Sequence, residues 1–131
     1  MNIHKSAEDY LEQILILREQ KGYARSIDIA AGLSVSKPSV SFAMKQLREN
    51  GYITMDEANY ISLTEKGAAI AGTIYARHKA LTAFLIRLGV PPETAREDAC
   101  KLEHDISPAT FDAIRRYIGE DREADPNGLS D

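Results

Sequence analysis

The segment Cys100-x-x-Glu103-His104 sets a thiol, a carboxylate and an imidazole three and four residues apart. Residues at that spacing are neighbours on a helix surface, so three different metal-binding groups share one face. Asp9 and Glu12 form a second acidic pair three residues apart near the N-terminus, and His78 lies inside a long segment of helical apolar periodicity. Carboxylate, imidazole and thiolate together are the ligand chemistry of a divalent metal ion.

Taken singly, each of these residues has an ordinary explanation. Asp9 and Glu12 could be first-turn acids favoured by the helix dipole. A lone cysteine is usually a small buried hydrophobe. His78 could be a half-buried histidine, and Glu103 and His104 solvated. It is the joint pattern that points to metal.

The elements that must position these groups can be read in order. Ser6 is placed to cap a helix running to about Lys21, with Tyr10, Ile14 and Leu17 at helical spacing and Gly22 ending it. Ser26 begins a short helix, Ile27 to Leu33, with Ile27, Ala30 and Ala31 as its inward stripe. After the turn at 32–36, Ser36 caps a third helix with Pro38 in its first turn, a buried face of Val40, Met44 and Leu47, and an Asn50-Gly51 stop. Residues 52–55 and 60–63 alternate in the manner of strands around the polar link 56–59, which predicts a hairpin. Thr64 caps a long helix from about Glu65 to Leu88, stopped by Gly89 and Pro91-Pro92. A helix from about Pro92 to Asp105 carries Cys100, Glu103 and His104, and Ser107-Pro108 opens a last one reaching about Gly119.

Helix, turn, helix and hairpin within Tyr23–Leu63 is the layout of a winged helix-turn-helix. The second helix of the pair presents Ser36, Lys37, Ser39, Ser41, Phe42 and Lys45 outward, small donors and cations suited to base edges and phosphates. With Arg25, the residues Ser36, Lys37, Ser39, Ser41 and Lys45 are the candidate DNA contacts. At the hairpin tip Asp56 and Glu57 would repel phosphate, leaving Asn59 or main-chain groups for any contact there.

Composition sets the frame. At 131 residues, 44% apolar and 27% charged, the chain suits one compact body or two small modules. The apolar runs fall short of a membrane span, and a single cysteine fits a reducing compartment, so a cytoplasmic location is expected. A formal net charge of −4 argues against indiscriminate nucleic-acid binding. Between Lys21 and Thr54, however, five basic residues face two acidic ones. The expected fold is mainly α, with a winged helix-turn-helix over 1–64, a helical domain over 65–119 and a disordered acidic tail over 120–131.

The chain resembles the diphtheria-toxin-repressor and manganese-transport-regulator family of metal-dependent transcriptional repressors. The pieces that carry the resemblance are SAEDYLEQILILREQKGYAR, SIDIAAGLSVSKPSVSFAMKQLRENGYI, LTEKG, ARHKAL and ACKLEHDIS, in order along roughly Lys5 to Glu120. It implies a homodimer that binds a palindromic operator in double-stranded DNA and represses metal-uptake genes. It implies Asp9, Glu12, His78, Cys100, Glu103 and His104 as metal ligands, the first two from the DNA-binding domain and the rest from the dimerisation domain. Asp9 looks like the manganese branch and Cys100 like the iron branch, where cysteine replaces a glutamate able to bridge two ions. Thr82 and Arg96 stand where the iron branch has further ligands, and that branch's SH3-like domain has no counterpart in these 131 residues. Fe(II) or Mn(II) is the expected cofactor, with Co(II), Ni(II) or Zn(II) able to bind in vitro.

Two other functions compete. One is a metal-independent winged-helix regulator whose C-terminal helices bind a protein or small molecule. The other is an enzyme with Cys100 as nucleophile and His104 as base, against which stands the lack of a Gly-rich oxyanion loop or orienting partner.

Overall fold

The computed structural model describes residues 5–123. It contains helices α1 (Lys5–Lys21), α2 (Ser26–Leu33) and α3 (Lys37–Glu49), strands β1 (Ile53–Met55) and β2 (Ile61–Leu63), and helices α4 (Glu65–Arg87), α5 (Pro92–Asp105) and α6 (Pro108–Glu123). The fold is mainly α, as expected. It divides into two compact units, and the division falls between Tyr75 and Ala76, inside α4.

In the first unit, α1 buries Ala7, Leu11, Ile14 and Leu17, a stripe at the helical period. Gly22, with φ +84°, closes it through a bond from its N–H to the Arg18 carbonyl. The helix starts at Lys5, so Ser6 lies within its first turn instead of capping it.

In α2 the buried residues are Ile29 and Ala30, while Ala31 is exposed and Ile27 is 56% exposed. The expected stripe is therefore corrected. Ile27 and Ala31 are four apart and satisfy the helical period equally well, but Ile29 and Ala30 share their face with Leu33, and that face meets the core. The turn that follows passes through Ser34 at φ 55°.

Ser36 caps α3, its Oγ accepting from the Ser39 N–H at 3.2 Å, and Val40, Met44 and Leu47 are buried as their spacing requires. Strands β1 and β2 pair antiparallel, Ile53 opposite Leu63 and Met55 opposite Ile61. Asp56 builds the wing tip: its Oδ1 accepts from the N–H groups of Ala58 and Tyr60, both at 2.9 Å, an arrangement typical of Asx turns. The Ile61 N–H donates to the Ala24 carbonyl at 2.8 Å, and Arg18 donates to the Ile61 carbonyl at 3.1 Å and to Ser62 Oγ at 3.2 Å. The wing is thus tied to the end of α1 and to the segment after it.

Thr64 caps α4, accepting from the Gly67 N–H at 3.1 Å while its hydroxyl donates to the Gly51 carbonyl at 2.7 Å. A Cβ at Gly67 would lie 2.0 Å from the Tyr52 carbonyl oxygen, so only glycine allows the helix to start this close to the strand. Ile70 and Ala71 join the core formed by Leu11, Ile14, Ile29, Met44, Leu47 and Ile61. The opening turns of α4 accordingly belong to the first unit.

In the second unit Leu81, Ala99 and Phe111 form a small core, with Ala80, Ile106 and Ile114 packed on it. Gly89 at φ +101° ends the turn after α4, and Ser107 Oγ accepts from the Thr110 N–H to cap α6. Helix α6 continues to Glu123, which corrects the expectation of an unstructured tail from Glu120. The segment has no helix-breaking residue before Pro126, so the helical ladder carries on past Gly119. The remainder of the expected tail, 124–131, and His4 lie outside the described residues.

Candidate metal centre

Three of the expected ligands converge in the second unit. His78, on the third turn after Gly67 in α4, points its Nδ1 at Glu103 Oε2, 2.9 Å away. Cys100 Sγ, one turn before Glu103 on α5, lies 3.8 Å from the same nitrogen. One donor atom from each of His78, Cys100 and Glu103 can be chosen so that all lie within 4.8 Å of one another. On the far side of the carboxylate, His104 Nε2 is 3.3 Å from Glu103 Oε1.

Burial is graded across this cluster. The side chains of Glu103 and His104 are 1% exposed and that of His78 18%, whereas Cys100 is exposed. A carboxylate removed from water needs a cationic partner or it takes up a proton. Contact with the Cys100 thiol and the Glu103 carboxylate pushes the His78 imidazole up to about 10, against the opposing pull of burial. The proton on His78 is then the positive charge that Glu103 requires. A divalent cation offers the same charge to the same donors, and the set of thiolate, imidazole and carboxylate suits one. The residues present fit a metal ion.

Asp9 and Glu12 sit one turn apart on α1 in the first unit, Asp9 half-buried and Glu12 only 7% exposed. A buried glutamate on an otherwise apolar helix stripe is unusual for a solvating acid.

Of the candidate DNA contacts, Arg25, Ser36, Lys37, Ser39, Ser41 and Lys45 are all exposed. Ser36 is engaged in the cap, its hydroxyl also donating to Ser39 Oγ at 2.8 Å. The Arg25 guanidinium stacks 5.4 Å from the centre of the Tyr60 ring, which in turn meets the Tyr23 ring edge-on at 5.7 Å. This packing holds Arg25 beside the wing.

Two supporting residues escape sequence reasoning. Arg77 donates to the Glu103 carbonyl at 3.3 Å and lies 5.2 Å from the Phe111 ring, fixing α4 against α5 beneath the cluster. Its position next to His78 was the only signal. Asp56 shapes the wing tip, where its charge alone had suggested an obstacle to DNA.

Residues 2–59 match the N-terminal DNA binding domain of the iron dependent repressors, and residues 64–131 match their metal binding and dimerisation domain. The chain belongs to the iron-dependent repressor family of metal-dependent transcriptional regulators. Within that family, the transcriptional regulator MntR of Escherichia coli O6:H1 is 41% identical over 110 residues, 84% of this chain and 71% of the relative. The solved structure of T. acidophilum IdeR superposes with a TM-score of 0.79 at 28% identity, over 92% of this chain and 56% of that one. A manganese-dependent transcriptional repressor in complex with manganese also gives 0.79, at 27% identity, over 88% of this chain and 54% of that one. This chain therefore spans little more than half the length of the two solved relatives. The helix-turn-helix falls in the family's DNA binding domain, and the cluster of His78, Cys100, Glu103 and His104 falls in its metal binding domain. Among the described residues no helix is long and apolar enough to cross a membrane.

Proposed function

We propose that this chain is a cytoplasmic, metal-activated repressor of metal-uptake genes, acting as a homodimer on a palindromic operator. The observation that carries the proposal is the convergence of His78 Nδ1, Glu103 Oε2 and Cys100 Sγ, 2.9 and 3.8 Å from the shared nitrogen, in a segment matching a metal binding domain.

The ligands we assign are Asp9 and Glu12 from the first unit and His78, Cys100, Glu103 and His104 from the second. When bound, a divalent ion would supply positive charge to these carboxylates and a Lewis-acid centre to the donor set. Glu103 presents one oxygen to each of two imidazoles, and Arg77 holds its backbone in register. Cys100, at the exposed edge, contributes the soft donor. In α3, Lys37 and Lys45 supply phosphate contacts while Ser39 and Ser41 reach base edges, with Arg25 held beside the wing. A symmetric dimer reads its two half-sites only when its recognition helices are about one DNA turn, or a multiple, apart. Activation then requires that the DNA-competent arrangement bind the ion more tightly than any other.

Fe(II) or Mn(II) is the proposed activator. The relative crystallised with manganese supports manganese, the thiol of Cys100 supports iron, and Co(II), Ni(II) and Zn(II) would bind the same donors in vitro. Anaerobic titration of metal-free protein with Mn²⁺, Fe²⁺, Co²⁺ and Zn²⁺, read by anisotropy of labelled promoter-fragment DNA, tests this. We expect DNA binding only with metal and its loss on chelation. DNA affinity indifferent to metal and chelator would leave a metal-independent winged-helix regulator.

A further inference from the structure

Helix α3 buries Val40, Met44 and Leu47, and Phe42 stands 66% exposed on the same helix. At 100° per residue, Phe42 is about 160° around the axis from both Val40 and Met44, away from the buried stripe. Phenylalanine at such a position is costly in water and contributes nothing to the core. Its neighbours one turn away are Pro38 and Ser39 on one side and Lys45 and Gln46 on the other, with Lys45 and Ser39 exposed. An apolar ring is therefore left largely in water on the recognition helix, at the rim of a groove it shares with Ala7 and Tyr10 of α1, and one turn from the exposed cation of Lys45. It has no donor or acceptor, so it cannot read the hydrogen-bonding pattern of a base edge. The one feature of the major groove that an apolar side chain reads is the thymine methyl group.

We propose that Phe42 is a specificity-determining residue that packs on a thymine C5-methyl in each operator half-site. This deepens the DNA-binding role proposed above and rests on it. The ring excludes water from the methyl, so cytosine or uracil at that position is disfavoured without any hydrogen bond being lost. Lys45 and the serines fix the register in which the ring meets the base.

The test selects binding sites for the full chain with Mn²⁺ or Fe²⁺ from a pool of randomised duplexes, then replaces each thymine of the selected site by deoxyuridine in turn. Burying one methyl gives a roughly fourfold effect, so at one thymine per half-site we expect removal of the methyl to weaken binding about threefold to tenfold. In Phe42→Ala and Phe42→Gln that thymine-to-uracil ratio should fall to one, with the selected sequence losing its thymine preference there. The exposure of Phe42 predicts that both variants retain the parent's thermal midpoint and its salt dependence of DNA binding. A site selected by the parent with no methyl-sensitive position, or an unchanged ratio in the variants, overturns the assignment of Phe42 while leaving the repressor intact. A drop in thermal midpoint in both variants with the ratio preserved would make Phe42 a packing residue and overturn it equally. Failure to select any sequence would bring down the DNA-binding proposal itself, and Phe42's role with it.

Discussion

The Glu103 carboxylate is shut away from water and faces His78 on one side and His104 on the other. Replacing it with glutamine keeps the volume but removes the charge. We expect Glu103→Gln to weaken metal binding at least about tenfold and to abolish metal-dependent DNA binding while leaving the far-ultraviolet spectrum unchanged. Calorimetric metal titration checks this, and parental affinity would remove Glu103 from the ligands.

His78 makes a second, pH-dependent prediction. The folded chain holds its proton up to about 10, against 6.5 for an ordinary imidazole. Its contribution to the stability of the metal-free protein is fully present below pH 6.5 and is lost as pH rises towards 10. The urea midpoint of the metal-free protein should fall across that interval, and His78→Gln should flatten the fall. The grouping of Cys100, Glu103 and His104 was legible because helical spacing brings residues three and four apart together. The grip of Arg77 on the Glu103 carbonyl was not legible, since contacts between a side chain and a distant backbone leave no periodic trace.

At the scale of elements, starts and stops were the most readable features, because each has a local cause. Ser36, Thr64 and Ser107 cap the helices they precede, and Gly22 and Gly89 adopt the positive φ that ends a helix. The face of α2 was misread because two stripes fit its eight residues, and only the tertiary partner decides between them.

Gly67→Ala tests the close approach of α4 to the first strand. Helix propensity favours alanine by about 1 kcal/mol, but the added Cβ would meet the Tyr52 carbonyl at 2.0 Å. The clash wins, and we expect a net loss of about 1–3 kcal/mol in urea unfolding. A gain in stability would show that α4 can shift freely. On α3, Lys45→Ala should weaken binding to every DNA sequence and lower the slope of log affinity against log salt by about one. An unaltered slope would take Lys45 out of the phosphate contacts.

For the whole molecule, a formal charge of −4 means that affinity for DNA must come from a local face and not from the overall field. The basic excess between Lys21 and Thr54 is the stretch in which we would place that face. If metal tightens operator binding, thermodynamic linkage requires operator DNA to tighten metal binding by the same factor. Measuring metal affinity with and without the selected duplex should give the same ratio as measuring DNA affinity with and without metal. Unequal ratios would mean that a further state or assembly step intervenes. The two-part organisation was legible from the change of pattern after Leu63, but its division inside α4 was not. A continuous helix gives no sequence mark where its packing partners change.

The Arg18 guanidinium fastens β2 to α1 near the end of that helix, while Asp9 and Glu12 stand about two and a half and under two turns earlier on the same rod. At 1.5 Å per residue, some 13 Å of stiff backbone separates Asp9 from that fastening. Any tug on those two carboxylates is delivered to the hairpin as by a lever arm, without a soft joint in which to dissipate.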